Sequence, residues 1–180
     1  MRALCLLACL VLGVPQARAV DGMSIELGAS DSSDTSVDMV RVGVQWNWPW
    51  RWALGSSWHI GGYGDLSLGY WDNDSRNRTT SNIIDLGFTP VFRLHQTNPG
   101  AVALYLEAGI GFHYLSKSSV TTERSFGSRF QFGDHVGLGL CFGPRHGFDV
   151  GYRYQHLSNA GIKQPNQGIN FHQVRLQYHF

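Results

Sequence analysis

The sequence has few of the residues that would cross-link the chain or attract a charged partner. It contains three cysteines, of which Cys5 and Cys9 lie in an N-terminal apolar run that we predict to be removed with a signal peptide. Cys141 then remains alone, so an intramolecular disulfide framework is excluded. Charged residues make up 15% of the chain and the formal net charge is +1, so no nucleic-acid partner is predicted. Clusters of carboxylates or of Cys and His at ligand spacing are also lacking, so neither a metal nor another cofactor is predicted.

The N-terminus has the three parts of a secretory signal. Arg2 supplies the basic part, an apolar run follows, and an A-x-A cleavage sequence ends at Ala19. We therefore predict a signal peptide over residues 1–19 and a mature domain over residues 20–180. In that domain no run reaches the roughly 20 apolar residues that a membrane-spanning helix needs.

Apolar residues instead recur at every second position, which is the period of a β-strand. One clear run extends from Leu104 to Tyr114, where the apolar even positions alternate with positions that include Glu107 and His113. The pattern repeats in eight segments, separated by polar or Pro- and Gly-containing connections. The sequence therefore predicts an all-β chain that forms an eight-stranded antiparallel barrel.

The two faces of these strands distinguish a membrane barrel from a soluble one. A soluble barrel hides its apolar face, whereas a membrane barrel turns it towards lipid. Aromatic residues near the strand ends and the terminal Phe180 favour a transmembrane barrel of the bacterial outer membrane, with a soluble β-fold as the alternative. Charges of both signs at strand centres can pair across a narrow lumen. These charges are Glu26, Arg41, Asp65, Asp85, Arg93, Glu107 and Arg153.

The lengths of the connections predict how the strands are oriented. Outer-membrane barrels have long extracellular loops and short periplasmic turns. With both termini in the periplasm, the seventh predicted strand runs outward and ends at His156 and Ser158, on the lipid-facing side at the level of the outer leaflet. The predicted extracellular loops are 31–36, 72–81, 116–129 and 159–169, and the predicted periplasmic turns are 49–56, 95–101 and 143–146.

His156 and Ser158 continue an apolar stripe although both are polar. An imidazole beside a hydroxyl is the minimum set for an activated serine nucleophile, and a polar residue at lipid depth is costly without a function. An H-x-S pair is nevertheless a weak signal by itself. The alternative is a histidine and a serine at the rim that hydrogen-bond lipid headgroups, and the residues alone leave both interpretations open.

The segment HLSNAGIKQPNQGINF, residues 156–171, resembles the signature of the lipid A 3-O-deacylase (PagL) family, and the likeness extends to residues 106–112 and 132–140. The resemblance implies an eight-stranded outer-membrane barrel that hydrolyses the ester-linked 3-hydroxyacyl chain at position 3 of lipid A in lipopolysaccharide. It also implies that Ser158 is the nucleophile and His156 its general base. The rival hypotheses are a non-enzymatic small barrel, such as an adhesin or structural protein, and a calcium-dependent barrel deacylase. Homodimer formation is left open.

One position departs from the family pattern. The resemblance leads us to expect a glutamate as third member of the catalytic site, but the corresponding position here is Asn170. An asparagine can hold an imidazole in one tautomer, although it cannot stabilise an imidazolium as a carboxylate does. Asp134 also has outward parity and is predicted nearly opposite His156. We predict Asn170 as the orienting residue with Asp134 as electrostatic support, and the reverse assignment stays open.

The donors of an oxyanion hole are predicted in the loop that follows Ser158. The candidates are the backbone N–H groups of Ala160 and Gly161 and the side chains of Asn159 and Asn166. Gly161 has an equally good explanation as a plain turn-forming residue.

Overall fold

The computed structural model describes residues 19–32 and 34–180, so the predicted signal peptide lies, apart from Ala19, outside the described residues. The described part contains strands and a short 3₁₀ turn, and no helix in it is long and apolar enough to cross a bilayer. The strands are β1 (Gly22–Ser30), β2 (Val37–Asn47), β3 (Trp52–Leu54), β4 (Trp58–Asn73), β5 (Asn82–Gln96), β6 (Val102–Leu115), β7 (Phe130–Phe142), β8 (Phe148–Ser158) and β9 (Ile169–His179).

Eight of the described strands close an antiparallel barrel, which confirms the predicted fold. From β4 to β9 each strand pairs with the next, β9 pairs with β1, β1 pairs with β2, and β2 pairs with β4 to complete the circle. The three-residue β3 pairs with the beginning of β4 and was not predicted. Strand β1 begins and β9 ends at the same end of the barrel, here named the terminal end. The opposite end, here named the loop end, carries the connections 31–36, 74–81, 116–129 and 159–168.

The alternation of side chains gives the barrel an apolar exterior. In β6 every even residue from Val102 to Tyr114 is exposed and every odd residue is buried. Ile110, for example, is 60% exposed although it lies mid-strand. A continuous exposed apolar surface of this extent is expected where lipid covers it. The prediction that the apolar face points outward is therefore confirmed.

Aromatic rings gather on the exterior near the terminal end. Successive ring centroids of Phe142, Phe148, Tyr178 and Phe180 lie 5.9, 5.2 and 5.6 Å apart. Rings with an apolar body suit the boundary between hydrocarbon and headgroups, so this group marks one edge of the lipid-facing band.

Paired charges fill the interior of the barrel, as predicted. Arg93 contacts Glu107 at 2.7 Å and Asp149 at 2.6 Å, and Arg153 contacts Glu107 at 2.5 Å and Glu26 at 2.8 Å. Because buried charges are costly unless they are paired, this network makes a closed polar lumen tolerable. The buried charged residues are Glu26, Arg41, Asp65, Asp85, Arg93, Glu107, Asp149, Arg153 and Arg175.

An apolar cluster covers the polar lumen towards the loop end. Leu157 and Phe171 point inward from β8 and β9, and Phe126 joins them from the connection between β6 and β7. The rings of Phe171 and Trp71 pack with centroids 4.9 Å apart. All four side chains are almost fully buried. The outer surface of β8 and β9 at this end is therefore backed by a close-packed wall.

Candidate active site

The alternation of side chains along β8 places its last two outward-facing residues, His156 and Ser158, on the outside of the barrel at the loop end. Both are half-buried, whereas Leu157 between them is fully buried inside. Tyr152 and Tyr154 lie below them on the same outward face. The predicted parity of the histidine and the serine is confirmed, since successive strand residues point to opposite faces.

The neighbouring strand β9 brings Asn170 to His156. The two residues are direct partners in the β8–β9 register, and Asn170 Oδ1 lies 2.5 Å from His156 Nδ1. An amide oxygen only accepts hydrogen bonds, so Nδ1 is the donor and the histidine Nε2 keeps its lone pair. Gly168 permits the close packing, because a Cβ there would lie 2.7 Å from Cε1 of the imidazole. Its φ of 65° also lies in the left-handed region that favours glycine.

Asp134 lies beside His156 on the other neighbouring strand. The two residues are partners in the β7–β8 register, as the sequence predicted. The Asp134 side chain is exposed, and no residue in the described part of the chain hydrogen-bonds to its carboxylate. Of the two candidates for the orienting role, Asn170 is therefore the one that contacts the imidazole.

Asp31 adds polar contacts behind Asn170 that were not predicted from the sequence. Asp31 Oδ2 accepts a hydrogen bond from the Tyr154 hydroxyl at 2.8 Å and one from Asn170 Nδ2 at 3.3 Å. The Asp31 backbone N–H also donates to the Asn170 carbonyl at 3.3 Å. The contact depends on how β1 and β9 meet when the barrel closes, and period-two alternation contains no information about that register.

The turn after Ser158 leaves several polar groups available. Ala160 and Gly161 have φ values of 53° and 77°, and the N–H of Ile162 donates to the Asn159 carbonyl at 3.1 Å. A left-handed conformation costs a residue with a Cβ about 1–2 kcal/mol, so the surrounding loop must hold Ala160 in place. Three of these groups have no hydrogen-bond partner among the described residues. They are the backbone N–H of Ala160, the backbone N–H of Gly161 and the Ser158 hydroxyl.

The predicted role of the Asn159 side chain needs correction. This side chain is fully buried, its Nδ2 donates to the Lys163 carbonyl at 2.7 Å, and its Oδ1 accepts from the Lys163 N–H at 3.4 Å. It therefore stabilises the loop and does not face a substrate. Asn166 is half-buried and its Oδ1 accepts from the Asn159 N–H at 2.9 Å, which leaves its amide nitrogen available.

Arg124 joins three of the connections at the loop end. Its guanidinium donates to the Gly168 carbonyl at 2.5 Å, to Thr35 Oγ1 at 2.9 Å and to Ser32 Oγ at 3.0 Å. Hydrogen bonds from a charged donor are stronger than neutral ones. The loops around His156 are therefore fastened to each other, and this contact was not predicted either.

The described residues include one group of three that could ligate a metal, Cys141, Asp149 and His179. The group lies at the terminal end, and Asp149 is separated from His156 along β8 by roughly 23 Å at 3.3 Å per residue. The Asp149 carboxylate already accepts from Arg93 at 2.6 Å and from Tyr105 at 2.6 Å. The group is therefore remote from the candidate site, and its carboxylate is already neutralised.

Comparisons with known proteins agree over most of the chain. The family model of lipid A 3-O-deacylase (PagL) matches residues 38–179. A lipid A deacylase PagL of Bordetella bronchiseptica is 34% identical over 162 residues, which cover 88% of this chain and 83% of the relative. Another, of Pseudomonas aeruginosa, is 35% identical over 156 residues, which cover 87% and 84%. A crystal structure of the outer membrane enzyme PagL matches with a TM-score of 0.77 at 31% identity, over 88% of this chain and 99% of that one.

Proposed function

Because the chain belongs to the lipid A 3-O-deacylase (PagL) family, we propose that it is an outer-membrane esterase that removes the ester-linked 3-hydroxyacyl chain from position 3 of lipid A. One observation carries the assignment of the site: the His156 imidazole is fixed through Nδ1 by Asn170, with Ser158 on the same outward face two residues later. Acyl transfer by a serine uses a nucleophile, a base and a group that orients the base, and Ser158, His156 and Asn170 would fill these three roles.

In the first half of the reaction Ser158 Oγ attacks the carbonyl carbon of the acyl ester. His156 Nε2 accepts the hydroxyl proton as the new C–O bond forms, and negative charge develops on the carbonyl oxygen. The N–H groups of Ala160 and Gly161 are the donors available to that oxygen, with the Asn166 amide as a third. One such donor contributes about 10²–10³-fold to the rate of acyl transfer.

The intermediate then loses the sugar oxygen, which takes the proton from the His156 imidazolium. This leaves the acyl chain as an ester on Ser158. A water molecule, deprotonated by His156 Nε2, attacks the acyl-enzyme, and the 3-hydroxy fatty acid leaves as Ser158 recovers its proton. Each proton accepted by His156 is returned in the next step, so the cycle needs no cofactor.

The orientation that we propose places the active site in the outer leaflet. The signal peptide predicted over residues 1–19 would export the chain, and the connections at the loop end would face outward. His156 and Ser158 lie on the barrel wall rather than inside the lumen. A lipid can therefore approach them sideways while its acyl chains stay in the bilayer.

The test is mass spectrometry of lipid A from cells that express either the wild type or Ser158→Ala. We expect the wild type to yield lipid A that lacks one 3-hydroxyacyl chain and the variant to yield intact lipid A. Both proteins should reach the outer membrane as folded barrels, because Ser158 is at the rim and none of the described residues hydrogen-bonds to its hydroxyl.

Two results would count against the proposal in different ways. Deacylation by Ser158→Ala at the wild-type rate would refute the serine mechanism while leaving the activity intact. Intact lipid A from cells with folded wild-type protein would refute the activity itself and favour the non-enzymatic barrel.

A further inference from the structure

We propose that Asp31 is a positioning residue that fixes the amide of Asn170 so that its oxygen faces His156. The inference rests on the proposed esterase function, and it explains how an asparagine can occupy a position where the family resemblance leads us to expect a carboxylate. Asp31 lies just beyond the end of β1, and its carboxylate touches neither His156 nor any group that reacts with substrate.

The direction of the Asn170 amide decides whether His156 can act as a base. With Oδ1 towards the imidazole, Nδ1 carries the proton and Nε2 is free to accept one. With the amide reversed, Nδ2 would donate to Nδ1, and the proton would move to Nε2. A glutamate has two equivalent oxygens and escapes this problem, whereas an asparagine needs a second contact to select one orientation.

Asp31 provides that second contact. An ionised carboxylate only accepts hydrogen bonds, so it can bind the nitrogen of the Asn170 amide but not its oxygen. Asp31 Oδ2 lies 3.3 Å from Asn170 Nδ2, and the same oxygen accepts from the Tyr154 hydroxyl at 2.8 Å. The carboxylate therefore favours the productive orientation of Asn170, while Tyr154 restrains the carboxylate from below.

The backbone around Asp31 is held in place by independent contacts. Its N–H donates to the Asn170 carbonyl at 3.3 Å, which continues the β1–β9 pairing beyond Ser30. Arg124 also holds the neighbouring residue, through a hydrogen bond to Ser32 Oγ at 3.0 Å. The position of the carboxylate thus follows from barrel closure and from the packing of the loops, so it does not depend on the side chain that it orients.

Four variants measured on lipid A in detergent test the inference. Asp31→Ala should lower kcat about tenfold, the value expected for loss of one partly exposed charge-assisted hydrogen bond, and KM should change little. Asp31→Asn should also lower kcat, because its amide can donate to Asn170 Oδ1 as well as accept from Asn170 Nδ2 and so no longer selects one orientation. In an Asn170→Glu background, Asp31→Ala should cause no further loss, since a glutamate has no amide to orient.

The matched control is Asp38→Ala. Asp38 is another exposed carboxylate near the loop end, and no hydrogen bond to its side chain occurs among the described residues. It lies on β2 opposite Ala29 of β1, which is two residues before Asp31 in the sequence. Its removal should leave kcat unchanged.

Three outcomes would overturn the inference. These are full activity of Asp31→Ala, full activity of Asp31→Asn, or the same loss from Asp31→Ala in both backgrounds, which would indicate a merely structural residue. If Asn170→Glu proves inactive, Asp31→Asn still decides, because it keeps the shape of the side chain and removes only its acceptor-only character. Failure of the proposed function is recognised separately, because the wild type itself would then release no acyl chain.

Discussion

Replacing Glu107 by alanine should destabilise the barrel without impairing its chemistry. The carboxylate lies in the lumen with 1% of its side chain exposed. It accepts hydrogen bonds from Arg93 Nε and Nη2 at 2.9 and 2.7 Å, from Arg153 Nε at 2.5 Å and from the Tyr63 hydroxyl at 3.2 Å. Glu107→Ala removes all four contacts and leaves two buried guanidinium groups with fewer acceptors.

The other contacts of the two arginines set the size of the effect. Removal of one partner from a buried ion pair costs about 3–5 kcal/mol. Arg93 keeps Asp149 at 2.6 Å and Arg153 keeps Glu26 at 2.8 Å, so neither arginine is stranded. We therefore expect the lower end of that range, a loss of about 3 kcal/mol in the free energy of unfolding.

The assay is denaturant unfolding of the purified barrel in detergent, followed by tryptophan fluorescence, together with turnover per folded molecule. Glu123→Ala is the matched control, because Glu123 is an exposed glutamate in the 116–129 connection and its loss should cost less than about 0.5 kcal/mol. Glu107 faces the lumen, whereas His156 lies outside the wall, so turnover should persist. A Glu107→Ala barrel that unfolds like the wild type but has lost turnover would show that the lumen assignment is wrong.

Four further variants test the site. Asn170→Ala should lower catalytic efficiency on lipid A about 10- to 100-fold, since His156 loses the hydrogen bond that fixes its tautomer, whereas Asp134→Asn should change it little; the reverse order would transfer the orienting role to Asp134. His156→Ala should lower turnover by orders of magnitude while the unheated protein still migrates as a folded barrel in gel electrophoresis, and a lost folded band would instead indicate a structural role. Ala160→Gly should raise the free energy of unfolding by about 0.5–1 kcal/mol and retain activity, because glycine adopts a positive φ freely; a lower denaturation midpoint would contradict this reason.

The sequence predicted the barrel well because side-chain alternation is a local property. In β6 the period of two shows directly which residues face lipid and which face the lumen. The short strand β3 was not predicted, because all three of its residues, including Trp52 and Leu54, are exposed. Three residues with no buried member cannot show alternation. The existence of β3 follows from its pairing with β4, which is a contact between different segments.

The candidate site was predictable only in part. His156 and Ser158 could be found because the motif and the strand parity both lie within one short segment. Asp31 and Arg124 could not, since their contacts depend on the heights at which distant strands and loops meet. Periodicity assigns a residue to a face, whereas its position along the barrel axis depends on inter-strand register. The buried Asn159 shows the converse: its motif position predicted chemistry, and its contacts with Lys163 make it a support of the loop.

His156 and Ser158 lie on the outer wall, so the surrounding membrane would form part of the site that we propose. At this site the barrel would supply one side of the reaction space and lipid molecules the other, so substrate would arrive by diffusion in two dimensions without crossing bulk water. The concentration that governs such an enzyme is the mole fraction of substrate in the leaflet. Diluting a suspension of vesicles that contain both protein and lipid A should leave the rate per enzyme unchanged, whereas diluting lipid A with other lipids inside the same vesicles should lower it.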